Sequence, residues 1–335
     1  MRIAVIGSGA IGCLVAAYLK DKKAEVTLIG HGPVVEVVAR QGIAVSGARG
    51  DLAVRIDIAE SLNYIPDLVI LATKTQDIDS ALADCKNLLQ NALLLTTQNG
   101  VQAEKIASKY LAPEQVISSI VMFGSTNIEP GKVVHNFEGS WILGSVFGQL
   151  ADWGKIEGLV SVLSPAFPVV IAKDITGMKY LKIFLNANNC LPAILGKSMQ
   201  EVFSDLSVSQ ISIAIWKEAQ GIFNQLNLGL ASLPGFPLEN LTKLTSLPIE
   251  KGAEIFSGMM QNLSREPLYG SILQSIMRGK LSEIDYINGE FVNLARAHHL
   301  SAPLNTALVE MVHEVEKTRR FYSKEELIAK TKELI

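Results

Sequence analysis

Six residues near the amino terminus have the types and the spacing of a phosphate-binding turn. Gly7-Ser8-Gly9-Ala10-Ile11-Gly12 matches the pattern G-x-G-x-x-G, after an apolar run at 2–6 and before a stretch at helical spacing. The first glycine allows a tight turn, the second lets the backbone approach a pyrophosphate, and the third lets the helix pack close to the strand. The unpaired N–H groups of the helix would face the anion. This order favours a site for a nicotinamide or flavin dinucleotide over a glycine-rich turn in an ordinary α/β protein.

A second group that could do chemistry lies in the apolar stretch 178–187. Lys182 and Asn186 are four residues apart, so a helix places them on one face, among leucine, isoleucine and phenylalanine neighbours. A lysine in such surroundings is partly desolvated, which lowers its pKa and suits it to proton transfer near neutrality. Taken alone, the pair is more typical of a lysine that reaches solvent beside a capping asparagine.

A third group lies in the segment 271–289. Glu283 is predicted to open a helix whose apolar stripe is Ile284, Ile287, Phe291 and Leu294. An acidic residue in a first turn often does no more than complement the helix dipole. Gly289 inside that helix costs about 1 kcal/mol relative to alanine, which predicts a close packing contact at this position.

Strand patterns alternate with helical patterns through the first hundred residues. The predicted strands are 2–6, 25–29, 67–72 and 92–97, and the predicted helices between them are 13–19, 34–40 and 76–89. This alternation is typical of a parallel, doubly wound sheet, which binds its ligand outside the carboxyl ends of the strands. Lys74 and Asn99 each follow a strand end, so their positions make them candidate ligand-binding residues.

The pattern changes after Ile117. Residues 118–125, 132–135 and 141–143 are predicted to be antiparallel strands that close the first domain, and helical periodicity dominates beyond the stretch 164–168. A chain of 335 residues is long for one hydrophobic core. We therefore expect an α/β, Rossmann-like, doubly wound domain at 1–170 and an all-α domain at 171–335.

The end of the second strand bears on the choice of nucleotide. NAD-selective sites usually have a carboxylate there, which accepts hydrogen bonds from the ribose 2′-OH. The sequence Leu28-Ile29-Gly30-His31-Gly32 has none, and this favours NADP(H), with NAD as the weaker alternative. The arginine usual in NADP sites is also missing. His31 takes its place, assisted by Lys74 or Arg40, unless His31 is a plain turn residue.

Composition excludes several kinds of partner. A net charge of −3 and the lack of a basic stretch interleaved with aromatic residues argue against nucleic acid or anionic lipid. Three widely spaced cysteines are typical of a reducing compartment, and no apolar run approaches the 18–20 residues of a membrane span. The pair His298-His299 and His313 lack acidic residues at ligand spacing, so no metal site is predicted. We expect a soluble cytoplasmic protein, whose hydrophobic fraction of 48% leaves room for a homodimer interface.

Several motifs occur along the chain in a specific order. They are the glycine-rich turn, Gln98-Asn99-Gly100, Lys182-x-x-x-Asn186, Ser271-Ile-Leu-Gln274, Glu283-Ile-Asp-Tyr-Ile-Asn-Gly289, Ala295-Arg296-Ala297-His298 and Pro303-x-Asn305-Thr306. In these motifs the chain resembles the ketopantoate reductase (2-dehydropantoate 2-reductase) family over nearly its whole length. The resemblance changes the interpretation of Lys182 and Glu283 from structural residues to site residues.

The resemblance implies NADPH-dependent reduction of a branched 2-keto acid, namely ketopantoate to pantoate in pantothenate and coenzyme A biosynthesis. Lys182 is then the general acid that stabilises and protonates the carbonyl oxygen. Glu283 binds the hydroxyl end of the substrate or orients the lysine, and it contributes to the cofactor site. By the same resemblance Asn186 fits a substrate hydroxyl, Ser271 fits the carboxylate, and Asn99 fits both the nicotinamide ribose and the substrate.

Four positions depart from the family pattern. They are Cys190 for a second site asparagine, Ser275 for an aspartate, His31 for an arginine and Phe137 for a glycine. Asn188 and Asn189 lie just before the expected asparagine position. Because the chemistry of Lys182 requires only a carbonyl group, these changes leave open a paralogous NAD(P)H-dependent reductase of another 2-keto acid. A dinucleotide-sensing protein without catalysis is a further alternative, but it has no use for a lysine and a glutamate supplied by a helical domain.

Overall fold

The amino-terminal run forms a central strand because its residues are apolar and suited to burial on both faces. In the computed structural model, which describes residues 1–148, 153–262 and 266–335, strand β1 spans Arg2–Ile6. Ile3 and Val5 belong to one hydrophobic cluster and Ala4 and Ile6 to another. A parallel sheet that is covered by helices requires burial on both faces. The predicted fold class is therefore confirmed.

The other strands follow along the first half of the chain. They are β2 (Glu25–Ile29), β3 (Ile43–Gly47), β4 (Leu52–Val54), β5 (Asp57–Ala59), β6 (Leu68–Leu71), β7 (Leu93–Thr96), β8 (Val116–Val121), β9 (Gly124–Glu129), β10 (Lys132–Phe137), β11 (Trp141–Gly144) and β12 (Val169–Ile171). Within the described residues they form one sheet in the order β12-β11-β8-β7-β6-β1-β2-β5 and a small sheet in the order β4-β3-β10-β9. In the large sheet only the pair β8–β11 is antiparallel among the described strands.

Helices accompany the sheet and then make up the second half of the chain. They are α1 (Ala10–Asp21), α2 (Pro33–Gln41), α3 (Ile78–Ala83), α4 (Ala103–Ala107), α5 (Trp153–Leu163), α6 (Ile175–Ala187), α7 (Cys190–Leu195), α8 (Met199–Phe203), α9 (Leu206–Gln225), α10 (Leu238–Ser246), α11 (Ile249–Gln261), α12 (Ser271–Met277), α13 (Asn288–Ala297), α14 (Pro303–Thr318) and α15 (Lys324–Thr331). The chain divides into two compact units, Met1–Thr176 and Gly177–Ile335, here called the sheet unit and the helical unit. None of the described helices is both long enough and apolar enough to cross a membrane.

The strand predicted at 118–125 is divided between the two sheets. Strand β8 ends at Val121 and pairs in parallel with β7, and β9 begins at Gly124 in the small sheet. The chain passes from one sheet to the other at Met122 and Phe123. Gly139 packs closely against this point, because a Cβ at Gly139 would be 2.2 Å from the carbonyl oxygen of Met122. Alternation of apolar residues could not show this change of partner, because both parts are extended.

The helix predicted at 76–89 is also interrupted. A 3₁₀ turn at Thr75–Asp77 leads into α3, and a second 3₁₀ turn follows at Lys86–Leu88. Asp84 and Asn87 are weak helix formers because their side chains compete for backbone hydrogen bonds. The apolar spacing continues through the interruption, so periodicity alone overestimated the length of the helix.

The helical unit is built around α9, which has twenty residues. The rings of Phe184, Phe223 and Phe291 meet edge to face at centroid distances of 5.1, 5.0 and 6.0 Å. The indole N–H of Trp216 donates a 2.6 Å hydrogen bond to the carbonyl of Phe184. Aromatic packing and this bond fix α6, which carries Lys182, against α9 and α13.

Glu283 does not open the helix that was predicted there. It precedes a 3₁₀ turn at Ile284–Tyr286, and α13 begins only at Asn288. Gly289 therefore lies in the first turn, and a Cβ built on it would meet its nearest neighbour, the carbonyl oxygen of Ile284, at 3.4 Å. That is an ordinary contact, so the predicted close packing at Gly289 is wrong.

A buried histidine in the sheet unit should make the free energy of unfolding depend on pH. His135 is fully buried, and its Nδ1 lies 2.9 Å from the hydroxyl of Tyr18. Burial lowers the pKa of His135, the charge of Arg49 acts in the same direction, and Glu138 opposes both. Below the pKa of an unfolded histidine, about 6.5, the unfolded chain therefore binds more protons than the folded chain. Stability is fully present above that pH and is lost as the pH falls towards the folded-state pKa.

We expect this loss to disappear in the His135→Phe variant, whose free energy of unfolding should be nearly constant between about pH 5.5 and 7. Urea unfolding at several pH values measures it, with His298→Gln as the control because that histidine is exposed. An equal dependence on pH in the variant and the wild type would contradict this role of His135.

Candidate active site

The glycine-rich turn has the shape of a phosphate cradle. Gly7 has φ +113°, and a Cβ there would lie 2.6 Å from the carbonyl of Ala72. A Cβ on Gly12 would lie 1.7 Å from the carbonyl oxygen of Gly7, whereas a Cβ on Gly9 would meet nothing within 4 Å. The turn is thus closed towards the protein and open at Gly9.

The amino end of α1 suits an anion. The helix begins at Ala10 with no side-chain cap and no acidic residue in its first turn. Its first N–H groups and the positive end of its dipole therefore face the turn without a competing carboxylate. The residues present, Gly7 to Gly12, fit the pyrophosphate of a dinucleotide, and Ser8 lies directly against Gly30 at the end of β2.

The turn after β2 is the place where a NAD-selective site usually has a carboxylate, and this chain has none there. A Cβ on Gly30 would be 2.4 Å from the Ser8 hydroxyl oxygen, so a larger residue would have to displace Ser8. His31 and Arg40 are both exposed, the latter in the last turn of α2. Neither side chain would repel a 2′-phosphate.

Two neighbouring strand ends are tied together by the buried amide of Gln98. Its Nε2 donates to the carbonyl oxygens of Leu71 at 3.0 Å and Thr73 at 2.9 Å. Lys74 and Asn99 are the residues next to these anchors, and both are half-buried. Gln98 therefore fixes the two candidate residues at one edge of the sheet, a role that the motif alone did not show.

In the helical unit Lys182 lies half-buried on α6, as its spacing predicts. Burial lowers the pKa of Lys182 to about 8, helped by the charge of Lys179 and opposed by the carboxylate of Glu283. Lys179 is 2% exposed and lies three residues earlier on the same face of the helix. The structure thus brings Lys182 and Glu283 together, and it adds Lys179, which sequence reasoning missed although its i, i+3 spacing was readable.

Glu283 is positioned by a contact with a distant helix. The backbone N–H of the preceding residue, Ser282, donates a 2.6 Å hydrogen bond to Glu316 of α14, which is 7% exposed. Ile284, on the other side of Glu283, is completely buried. Glu283 is therefore held on both sides while its own side chain remains half-buried. No local sequence signal identifies Glu316 as this anchor.

The remaining candidates of the helical unit lie at the ends of α6 and α12. Asn186 is in the last turn of α6, and Ser271 is the exposed first residue of α12. A Cβ on Gly270 would lie 3.1 Å from the side chain of Asn189, so the start of α12 packs directly against the residues that follow α6. Asn186 and Ser271 thus belong to adjoining segments.

The departures from the family pattern differ in their surroundings. Cys190 is fully buried, its Sγ is 3.8 Å from the amide nitrogen of Asn288, and burial raises the pKa of its thiol. Asn188 is 3% exposed, and neither polar atom of its side chain has a hydrogen-bond partner. The hydroxyl of Ser275 donates a 3.0 Å hydrogen bond to the backbone carbonyl of Ser271.

In the described part of the chain, no group of three or more His, Cys, Asp and Glu residues could hold a metal ion.

Comparison with known proteins agrees with these observations along both units. The family model described as ketopantoate reductase PanE/ApbA matches residues 3–147, and the model of its C-terminal domain matches residues 174–316. A 2-dehydropantoate 2-reductase from Pyrococcus horikoshii is 30% identical over 319 residues, which are 93% of this chain and 96% of that protein.

Solved structures share the fold. One is the complex of D-mandelate dehydrogenase with NADH and anilino(oxo)acetate, at a TM-score of 0.80 and 23% identity over 95% of this chain and 99% of that chain. Another is a PanE/ApbA family ketopantoate reductase from Ralstonia eutropha, at a TM-score of 0.78 and 24% identity over 95% and 99% of the two chains.

The sheet unit with its glycine-rich turn, followed by an all-α unit, places the protein in the class of dinucleotide-dependent oxidoreductases. Within that class the matches extend over nearly the whole chain and do not stop at the sheet unit. The chain belongs to the ketopantoate reductase family.

Proposed function

We propose that this protein reduces 2-dehydropantoate (ketopantoate) to pantoate with NADPH, a step of pantothenate and coenzyme A biosynthesis. The observation that carries the proposal is the placement of half-buried Lys182 beside the carboxylate of Glu283, where burial lowers the lysine pKa to about 8. A general acid works best when its pKa is near the working pH. The curated relative from Pyrococcus horikoshii bears the name of this activity.

The chain's own residues supply binding and proton transfer. The turn from Gly7 to Gly12 and the amino end of α1 hold the pyrophosphate, with His31 and Lys74 as candidates for the phosphates of NADPH. The nicotinamide, when bound, supplies the hydride for the keto carbon. The alcohol then requires one proton on the carbonyl oxygen.

Lys182 provides that proton in the proposed reaction. Its ammonium stabilises the negative charge that grows on the carbonyl oxygen and then donates a proton to it. Glu283 keeps the lysine protonated and oriented, in line with its effect on the pKa of Lys182. Asn186 would bind a substrate hydroxyl, Ser271 the carboxylate, and Asn99 the nicotinamide ribose together with the substrate.

A second candidate is the reduction of another 2-keto acid with NADPH or NADH. It is favoured by Cys190, which is fully buried against Asn288 and therefore offers no polar group in place of the expected asparagine. The structure of D-mandelate dehydrogenase, which has a similar fold, contains NADH and anilino(oxo)acetate.

Turnover distinguishes the two candidates. NADPH oxidation is followed at 340 nm with ketopantoate, beside NADH and a panel of other 2-keto acids. Efficient turnover of ketopantoate with NADPH is the expected result. Turnover restricted to another keto acid would establish the second candidate, and cofactor binding without any turnover would contradict both.

The proposed role of His31 predicts a difference between the two cofactors. An imidazole beside the 2′-phosphate would contact NADPH, and NADH has no phosphate at that position. His31→Gln should therefore weaken NADPH affinity and leave NADH affinity unchanged, while the exposed His298→Gln serves as control. Fluorescence titration of both cofactors measures these affinities. Unchanged NADPH affinity in His31→Gln would refute the role.

A further inference from the structure

Phe137, at the end of β10, exposes an aromatic ring in an unusual position. The side chain is 51% exposed. The ring lies directly on the backbone of Gly124, because a Cβ at Gly124 would be 2.3 Å from Cε1 of Phe137. Any residue larger than glycine at 124 would therefore displace the ring. The contact holds a large apolar surface in place without burying it.

A β-bulge sets the direction of this ring. His135 pairs with Ser125 and Phe137 pairs with Gly124, so β10 has one residue more than β9 between these two pairs. In a regular strand Phe137 would share the face of His135, which is fully buried. The bulge turns the strand and leaves Phe137 half-exposed.

The ring lies at the ligand-binding edge of the large sheet. Strand β8 runs parallel to β7, so Gly124, three residues after the end of β8, lies at the same edge as Asn99, which follows β7. The hydroxyl of Ser125 donates a 3.1 Å hydrogen bond to the carbonyl of Ala10, the first residue of α1. Phe137, which packs on Gly124, therefore lies at the same edge of the sheet as Asn99 and close in sequence to the contact with α1.

We propose that Phe137 is a specificity-determining residue, whose ring forms an apolar wall against the side chain of the 2-keto acid. This inference rests on the function proposed above. Parallel sheets bind ligands outside the carboxyl ends of their strands, where this ring is presented. A branched or aromatic side chain buries more apolar area against a ring than a methyl group does. The residue therefore selects 2-keto acids with bulky apolar groups next to the carbonyl.

The test compares kcat/KM for pyruvate, 2-oxo-3-methylbutanoate, ketopantoate and phenylglyoxylate in the wild type, Phe137→Ala and the control Phe147→Ala. Phe147 is 42% exposed and follows β11, which is antiparallel to β8, so it lies at the opposite edge of the sheet. In Phe137→Ala the ratio of kcat/KM for the bulky acids to that for pyruvate should fall about tenfold or more. A ratio that is unchanged or raised would overturn the inference.

Gly124→Ala provides an independent test, because the added Cβ displaces the Phe137 ring without removing it. It should lower the same ratio, and it should have little further effect when combined with Phe137→Ala. Additive effects of the two changes would mean that Gly124 and Phe137 act separately, against the inference.

Binding separates failure of the inference from failure of the proposed function. Affinity for phenylglyoxylate is measured on the NADPH-loaded protein through the fluorescence of the reduced nicotinamide. Turnover by the wild type with an unchanged substrate preference in Phe137→Ala would overturn the inference alone. If the wild type reduces no keto acid, the proposed function fails. A tenfold weaker affinity of Phe137→Ala for phenylglyoxylate would then still support the inference that Phe137 contacts the side chain of the keto acid. Equal affinity in both proteins, or no binding to either, would overturn it.

Discussion

Replacing Lys182 by methionine is expected to lower kcat by roughly 10²- to 10⁴-fold, the usual effect of losing a general acid. The ammonium is needed only as charge develops on the carbonyl oxygen, so the KM for the keto acid should change far less than kcat. NADPH affinity should also be retained. The measurement is steady-state oxidation of NADPH at saturating keto acid.

Stability separates this effect from a folding defect. Burial disfavours the charged form of Lys182, as its lowered pKa shows, so methionine should leave the Tm unchanged or raise it. Lys243→Met, on an exposed position of α10, is the matched control and should keep full activity. Near-normal turnover in Lys182→Met would refute the assignment, and a large loss of Tm would point to a structural role.

Gly9→Asp is expected to weaken NADPH binding about 100-fold, which corresponds to about 2.7 kcal/mol. The position accepts a side chain, since Gly9 has φ −78° and a Cβ there would meet nothing within 4 Å. The carboxylate would cap α1 in the free protein, so the Tm without cofactor should not fall. The same carboxylate occupies the place of the pyrophosphate and repels it.

Two further variants isolate the charge from the shape of the turn. Gly9→Ser caps the helix without a charge and should weaken NADPH binding less than Gly9→Asp. Gly12→Ala should instead lower the Tm, because its Cβ would lie 1.7 Å from the carbonyl oxygen of Gly7. Fluorescence titration with NADPH and thermal unfolding without it measure both effects. Wild-type affinity in Gly9→Asp would contradict the placement of the pyrophosphate.

The parts of the fold that were predictable from sequence depend on local patterns. The run at 2–6, the glycine spacing and the alternation of strands with helices determine the sheet unit, since each signal lies within a few residues. The division of the stretch 118–125 between two sheets was not predictable, because it depends on pairing with β7 and on the distant Gly139. The broken helix after Thr75 was missed because its apolar spacing continues through the break.

The candidate site shows the same division between local and distant contacts. The spacing of Lys182 and Asn186 on one helix was readable, and so was the glycine-rich turn. Glu283 became a candidate only through the resemblance to a family, since its approach to Lys182 joins segments a hundred residues apart. The anchoring contacts of Gln98 and Glu316 were not readable, because their partners are backbone groups of other segments.

The central claim is that Lys182 donates a proton whose pKa is lowered by burial and adjusted by its two charged neighbours, Lys179 and Glu283. The most direct test is the single-turnover rate of NADPH oxidation between pH 6.5 and 9.5 in the wild type, Glu283→Gln and Lys179→Met. The wild-type rate should fall as the pH rises through about 8, the pKa of Lys182. Loss of the carboxylate in Glu283→Gln should move that fall to lower pH, and loss of the cation in Lys179→Met should move it to higher pH. A rate independent of pH, or a midpoint that neither variant moves, would contradict the account.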